Sequence, residues 1–539
     1  MLLAWAVYYH YIIYSKYTSA FYMQRIIKRG RENRMKRILS ALICILLVGG
    51  LISGSAFASD TALPYFEGKP RLLVTQDGEV DDMNSLIHTL LYANEFDLEG
   101  IVQTSSTLHW SGDENTESYR WMGTEWMDEF LDAYAEVYPN LIVHDPGYPS
   151  PEALREITVV GNIKLASEMT EITEGSELVK ARILAEDARP LFIEIGGGAN
   201  TVARALLSIE EEYQDTDEWD MLYQHLCDHV ILIAWGMQDT CYKDYIQVNW
   251  PEMRMGDVSA STPAYGYRWA NMTELSEESV EKMSSVWMEE HLEKNHGALM
   301  DKYVTWGDGT YLIGEDDPDQ YGANEALLGD ETLWVGHAYE RYDFLSEGDS
   351  PAWFIAIPNG LRSIEDLAYG GWNGRYALKK NKNNEPYRLF QAAKGNERGM
   401  AFWVAAIQSD FAMRADWCVA SAYEDANHLP EVNVTEGIDI TAAAGEALTL
   451  HAQAADPDGD EVTFLWYHYP LGDTYEEKKD GDKNLIPIEV AVSGENGETA
   501  EFTVPADAKV GDTLHVILEG IDAGGTNPRA YQRVIIIVV

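Results

Sequence analysis

Short apolar runs that break off into glycine or acid, each followed by apolar residues at helical spacing, constrain this chain to alternating strands and helices. Arg71 to Asp82 reads R-L-L-V-T-Q-D-G-E-V-D-D, an apolar strand that turns at once into an acidic loop. Met83, Leu86, Ile87, Leu90 and Leu91 then recur every three or four residues, which predicts a helix over 83–93. The unit repeats. Leu98 to Ser106 ends a strand in hydroxyls, and Trp121 to Tyr138 carries a helical apolar stripe. Leu191–Ile195 runs into Gly196-Gly197-Gly198-Ala199-Asn200-Thr201 and a helix over 202–209, while Val230–Ala234 ends in Trp235-Gly236-Met237-Gln238-Asp239. Strands that alternate with helices and end in glycine or polar residues predict an α/β fold, a mainly parallel sheet flanked by helices with its site along one edge.

Asp77, Glu79, Asp81 and Asp82 fall together at the carboxyl end of the first strand, where open α/β sheets place ligands. Four carboxylates within six residues repel one another unless a positive partner joins them. A hard cation such as Ca²⁺, which takes roughly six to eight oxygens, suits that set. A solvated acidic turn is the alternative. The loop beyond the second strand offers Ser106, His109 and Trp110 to a pocket, and the Gly-rich turn offers close backbone approach. That turn lacks both the G-x-G-x-x-G spacing and the P-loop lysine, so it is not read as a nucleotide cradle. Asp349 precedes Ser350-Pro351, so it is either a helix cap or a site residue. Trp372 and Arg375, in the turn-rich loop 369–376, are suited either to a sugar or to ordinary packing.

The spacing Asp77-x-x-x-Asp81-Asp82 after a hydrophobic strand resembles the amino-terminal D-x-D-P-G-x-D-D signature of the nucleoside hydrolases. T-Q-D-G-E-V-D-D-M-N-S-L and L-L-Y-A-N-E-F-D-L-E-G-I-V resemble a secreted, nucleoside hydrolase-like branch, one member of which carries a cellulose-binding label. The resemblance spans about two-thirds of the chain. It implies that Asp77 bridges Ca²⁺ and a water and acts as general base, that Asp82 is a bidentate ligand, and that Asp81 meets sugar hydroxyls. It further implies a main-chain carbonyl ligand at Gly196, a late metal-binding aspartate at Asp349 and a sugar-binding asparagine at Asn249. Asn200, Asp239 and Glu347 complete the expected substrate-binding set. The chain departs from the pattern at Thr75, where the family has Asp, at Gly78-Glu79 in place of Pro-Gly, and at Gly348, where members that protonate a departing base carry His. With glycine at 348, the acid is Glu347 or the substrate is an O-glycoside of a polysaccharide.

Met35-Lys36-Arg37, an apolar run and S-A-F-A-S-D form a secretory signal over 35–58, cleaved after Ala58. Residues 1–34 read as a mis-called start or an extension, and no stable membrane span is expected after cleavage. The reading is therefore a bacterial protein that is secreted, cell-surface or periplasmic. A formal net charge of −50, with eight of the basic residues inside the first 58, repels phosphate backbones and excludes nucleic acid as a partner. Cys227, Cys241 and Cys418 make no disulfide framework and no C-x-x-C metal site. From Leu429 the chain changes to short alternating segments between Gly, Pro and Asp turns, which predicts a β-sandwich of immunoglobulin or cadherin type over 429–539 behind a body over 59–428. The acidic turn at 456–460 is read as a tight turn rather than a calcium loop. The function expected is that of a calcium-dependent glycosidase acting on a ribosyl or other glycan substrate, as a monomer or homo-oligomer. The alternative is a non-catalytic, cellulose-like carbohydrate-binding protein that keeps the fold.

Overall fold

The structure, a computed structural model, describes residues 61–259, 262–312, 322, 324–378, 388–392, 399–475, 478–479, 485–486 and 488–539. The leader and its cleavage site lie outside these residues. Eight strands build the central sheet: β1 (Arg71–Gln76), β2 (Asp97–Gln103), β3 (Thr158–Val160), β4 (Leu191–Ile195), β5 (Val230–Ala234), β6 (Arg254–Asp257), β7 (Tyr376–Leu378) and β8 (Leu389–Ala392). Their order is β3-β2-β1-β4-β5-β6-β8-β7, parallel throughout except for β7. Thr75 pairs with Val102 on one side and Ile195 on the other, and Ile195 pairs with Ala234, so the carboxyl ends of the central strands lie level.

The strands are apolar on both faces because both faces are covered. Leu72, Val74, Phe192, Ile231 and Ile233 point into one core, with α1 (Val80–Leu91), α2 (Glu125–His144) and the late helix over Val404–Trp417. Leu73, Val102, Ile193, Ile195 and Leu232 point into the other, against α3 (Glu174–Ile183), α4 (Asn200–Tyr213) and α5 (Trp219–His229). The late helix becomes α6. The helix expected to stop before Pro139 continues to His144, and the buried Leu141 and His144 hold its last turn to the body. Cys227, Cys241 and Cys418 are free and buried. No helix of the described residues is long and apolar enough to cross a membrane.

Ten strands follow α6: β9 (Glu431–Val434), β10 (Asp439–Ala442), β11 (Ala447–Ala455), β12 (Val462–His468), the short pair β13 (Lys478–Lys479) and β14 (Leu485–Ile486), β15 (Val492–Ser493), β16 (Thr499–Thr503), β17 (Thr513–Asp522) and β18 (Arg529–Val538). Two four-stranded sheets, β10-β18-β17-β12 and β15-β16-β11-β9, face each other over Leu450, Trp466, Phe502, Leu518 and Ile536, as a β-sandwich does. The pairs are antiparallel except β10 with β18.

This second layer is not an independent bead. Tyr469, Leu471, Ile517 and Tyr531 belong to the same core as α1 and α6. Fully buried Arg533 of β18 donates to three body carbonyls, Leu361 at 2.6 Å, Tyr369 at 2.9 Å and Gly370 at 2.6 Å. Burial is the main reason its guanidinium is lowered to about 10.

Candidate metal centre

The sheet order reverses between β1 and β4. From β1 the chain winds outward through β2 and β3; from β4 it winds the other way through β5 and β6. Such a switch point leaves a crevice beyond the carboxyl ends of the two strands. The acidic loop after β1 and the glycine turn after β4 close on that crevice.

The acidic loop folds back on itself. The Asp77 amide donates to Asp82 Oδ1 at 3.0 Å and the Glu79 amide to Asp77 Oδ1 at 3.1 Å. Asp81 and Asp82 fall in the first turn of α1, where the positive end of the helix dipole favours carboxylates. The glycine turn comes within contact of this loop: Gly197 has φ of +71°, and a Cβ there would stand 2.7 Å from the Asp77 Cβ. Asp349 lies at the start of the helical turn Ser350–Trp353, yet its side chain makes no capping bond. Its carboxylate joins the cluster instead, as the charge that most strongly raises Asp82 after burial itself.

A sixth carboxylate arrives from inside the sheet. Glu194, in the interior of β4, accepts the Thr75 amide on Oε2 at 3.0 Å. Asp77 Oδ2, Asp81 Oδ1, Asp82 Oδ2, Glu194 Oε1 and Asp349 Oδ1 are all buried and have no hydrogen-bond donor, nor has the amide of the neighbouring Gln76. Burial is the largest cause raising Asp82, Glu194 and Asp349 well above the ordinary carboxylate range, followed in each by neighbouring carboxylates. Asp81 is pushed up to about 6 by burial and then by Asp77. Without a cation, so many carboxyls in one place must hold protons; with one, they are ligands. The donor set is all oxygen and fits a metal ion of the hard, divalent kind. One oxygen each from Glu79, Asp81 and Asp82 lies within 4.8 Å of the others, and Asp77, Glu79 and His109 form a similar trio.

The rest of the expected site divides. His109 is buried with Nδ1 at 3.8 Å from Asp77 Oδ1, and Ser106 braces its loop by accepting the amides of Leu108 and His109. Trp110 stacks on Tyr119 at 4.7 Å between ring centroids. Gly196 sits beside the cluster, but its carbonyl accepts from the Thr75 hydroxyl at 3.3 Å. Asp239 accepts the Cys241 amide at 2.9 Å and is raised chiefly by burial. Asn200 spends its amide on Thr104, Ser105 and Asn162, so it ties loops together instead of facing a ligand.

Four of the expected residues are placed or engaged elsewhere. Asn249 precedes β6 and so lies at the amino-terminal edge of a parallel sheet, the edge away from the acidic loop, where it donates to Tyr245 O. Glu347 is locked in the core by His88 Nδ1 and Tyr303 Oη, each at 2.6 Å, and by Ser350 Oγ at 2.7 Å, so it is not poised as an acid. Trp372 is 2% exposed and meets Phe354 edge-on, which removes it from stacking on a sugar. Arg375 donates to Ala368 O within its own loop. Gly348 leaves no room for the histidine some relatives of the resembled family carry, since a Cβ there would fall 2.5 Å from Asp81 Oδ2. Glu194 and Gln76 are the site residues that pattern reading misses; an ionisable residue amid Leu, Phe and Ile in L-F-I-E-I was the available signal for the first.

Residues 71–376 match the family model described as "Cellulose-binding Sde182, nucleoside hydrolase-like domain", and residues 447–538 match "Cellulose-binding protein Sde0182, C-terminal domain". Among solved structures, a nucleoside hydrolase-related hypothetical protein from Saccharophagus degradans, described as associated with carbohydrate metabolism, superposes with a TM-score of 0.65 at 25% identity, covering 88% of this chain and 100% of that one. An effector protein, XOO4466, covers 66% of this chain and 95% of its own at 12% identity, with a TM-score of 0.34. No curated protein sequence matches.

Proposed function

The chain belongs to the family of cellulose-binding proteins with a nucleoside hydrolase-like domain, and from that premise we propose that it is an exported carbohydrate-binding protein whose ligand docks over a calcium ion. The observation that carries this reading is the convergence of five buried carboxylates, each with an unpartnered oxygen, at the sheet's switch point. Asp77, Asp81, Asp82, Glu194 and Asp349 would hold the ion, with the Gly196 carbonyl alongside. Bound there, calcium would neutralise the cluster and offer open positions to a pair of sugar hydroxyls. Glu79 and Asp81 are the least buried carboxylates of the loop, so they would accept hydrogen bonds from the same hydroxyls. The body over 59–428 carries this site, and the sandwich over 429–539 is its appended partner.

Hydrolysis is the second reading, favoured by Asp77 Oδ2 standing unpartnered with His109 beside it, a base and an orienting ring. Binding is preferred because, among the described residues, neither position expected to supply the acid for cleavage does so: Glu347 is tied by three donors and position 348 is glycine. Titration calorimetry with Ca²⁺, followed by binding and reducing-sugar assays on cellulose and soluble oligosaccharides, tests both readings. The expected result is glycan binding that requires Ca²⁺ and is lost in Asp82→Asn, with no sugar released. Full glycan affinity in chelator would overturn the proposal, and calcium-dependent release of sugar that stops in Asp77→Ala would establish the hydrolase.

A further inference from the structure

Beside the mouth of the acidic cluster stands an indole with no role in the fold's interior. Trp334 is 50% exposed, unusual for a residue whose surroundings fix it so firmly. The Arg268 guanidinium lies over its ring at 5.2 Å and donates to its carbonyl at 2.8 Å. Tyr267 meets it at 61° with centroids 5.6 Å apart. Tyr267 is itself positioned, since its carbonyl accepts the Tyr339 hydroxyl at 2.8 Å. Its own hydroxyl donates to Glu79 Oε1 at 3.2 Å and also reaches Asp81. One tyrosine therefore spans the distance from the carboxylates to the exposed indole. Trp235, partly buried, lines the same side, with Nε1 3.6 Å from where a Gly348 Cβ would be.

A rigid, half-exposed indole next to polar groups that grip hydroxyls suits the C–H face of a sugar ring, because stacking removes apolar area from water at little cost in side-chain freedom. The charge of the surroundings selects among sugars. A formal net charge of −50 repels uronates and sulfated chains, so a neutral glycan is the fitting ligand. The Tyr267 ring stands between the indole and the carboxylates, so a ligand that touches both must reach past it.

We propose that Trp334, held by Arg268 and Tyr267, is the platform of a second subsite that takes a neutral pyranose ring of an oligosaccharide whose other end docks over the acidic cluster. This rests on the carbohydrate-binding reading above and adds to it a minimum ligand length and a charge class.

The test is calorimetric titration of cellotetraose and of glucose, in Ca²⁺, into the full chain, Trp334→Ala, Trp334→Phe and Asp82→Asn, with Ca²⁺ affinity measured separately for each. Trp334→Ala should weaken cellotetraose about tenfold while leaving glucose and Ca²⁺ affinity unchanged, and Trp334→Phe should fall between. If Asp82→Asn abolishes cellotetraose binding but Trp334→Ala binds it as the native protein does, the platform is wrong and the docking site stands. Loss of Ca²⁺ binding in Trp334→Ala also overturns the platform, because the indole would then act through the fold. If the native protein binds no cellotetraose, or binds it equally in Asp82→Asn, the carbohydrate site itself falls and the platform with it.

Discussion

Asp82 is the residue on which the centre turns. It accepts the Asp77 amide on one oxygen and leaves the other without a donor, among Asp77, Asp81 and Asp349. Asp82→Asn keeps the shape and removes one charge, and should lower Ca²⁺ affinity at least tenfold with little change in melting temperature, as calorimetry and thermal scans would show. Asp81 sets a pH signature. Its folded pKa of about 6 lies above the unfolded 3.8, so the cation-free fold binds a proton that the unfolded chain releases. Stability of that form therefore rises as pH falls from 7 toward 4. With Ca²⁺ present the sign reverses, since protons then compete with the ion. Melting curves with chelator and with Ca²⁺ should lie apart at pH 7 and converge toward pH 4, as protons displace the ion; parallel curves would argue against a shared cation site. Asp77, Asp81 and Asp82 were legible because they are adjacent in sequence after an apolar strand. Asp349 was ambiguous because N-caps and ligands use the same residue, and Glu194 was hidden because its neighbours read as core.

At the scale of elements, the site depends on two turns that approach more closely than a side chain permits. Gly197 combines a left-handed φ with a Cβ position 2.7 Å from Asp77. Gly197→Ala should cost about 1–3 kcal/mol and push Asp77 out of line, weakening Ca²⁺ binding more than it lowers the melting temperature. Gly348→Ala keeps an ordinary backbone and displaces only Asp81, so its effect should appear in affinity alone. The strand–loop–helix units were readable in sequence because burial on both faces of a parallel sheet makes every strand apolar. What sequence could not supply was direction in space. Asn249, Trp372 and Arg375 each lie in a segment of the right composition, but which edge or interior they face is set by topology that no local spacing encodes.

Across the whole molecule, body and sandwich share a core, which the change of composition near Leu429 did not reveal. Arg533 satisfies the carbonyls of Leu361, Tyr369 and Gly370 from the far layer, while Arg529 pairs with Glu278 at 2.7 Å and Thr526 donates to Ser409 O at 2.6 Å. Arg533→Met would strand those carbonyls and should destabilise the protein by about 3–5 kcal/mol, with unfolding remaining a single calorimetric transition. Two separate transitions in the native chain would contradict the shared core. Trp403 touches both Tyr469, just after β12, and Tyr531 in β18, so its surroundings are complete only when the last strand of the sandwich arrives. A ribosome or export channel that has released only the first four hundred residues has therefore delivered a body with an open wall. The layer that carries the acidic cluster must wait for β18 before it can shut.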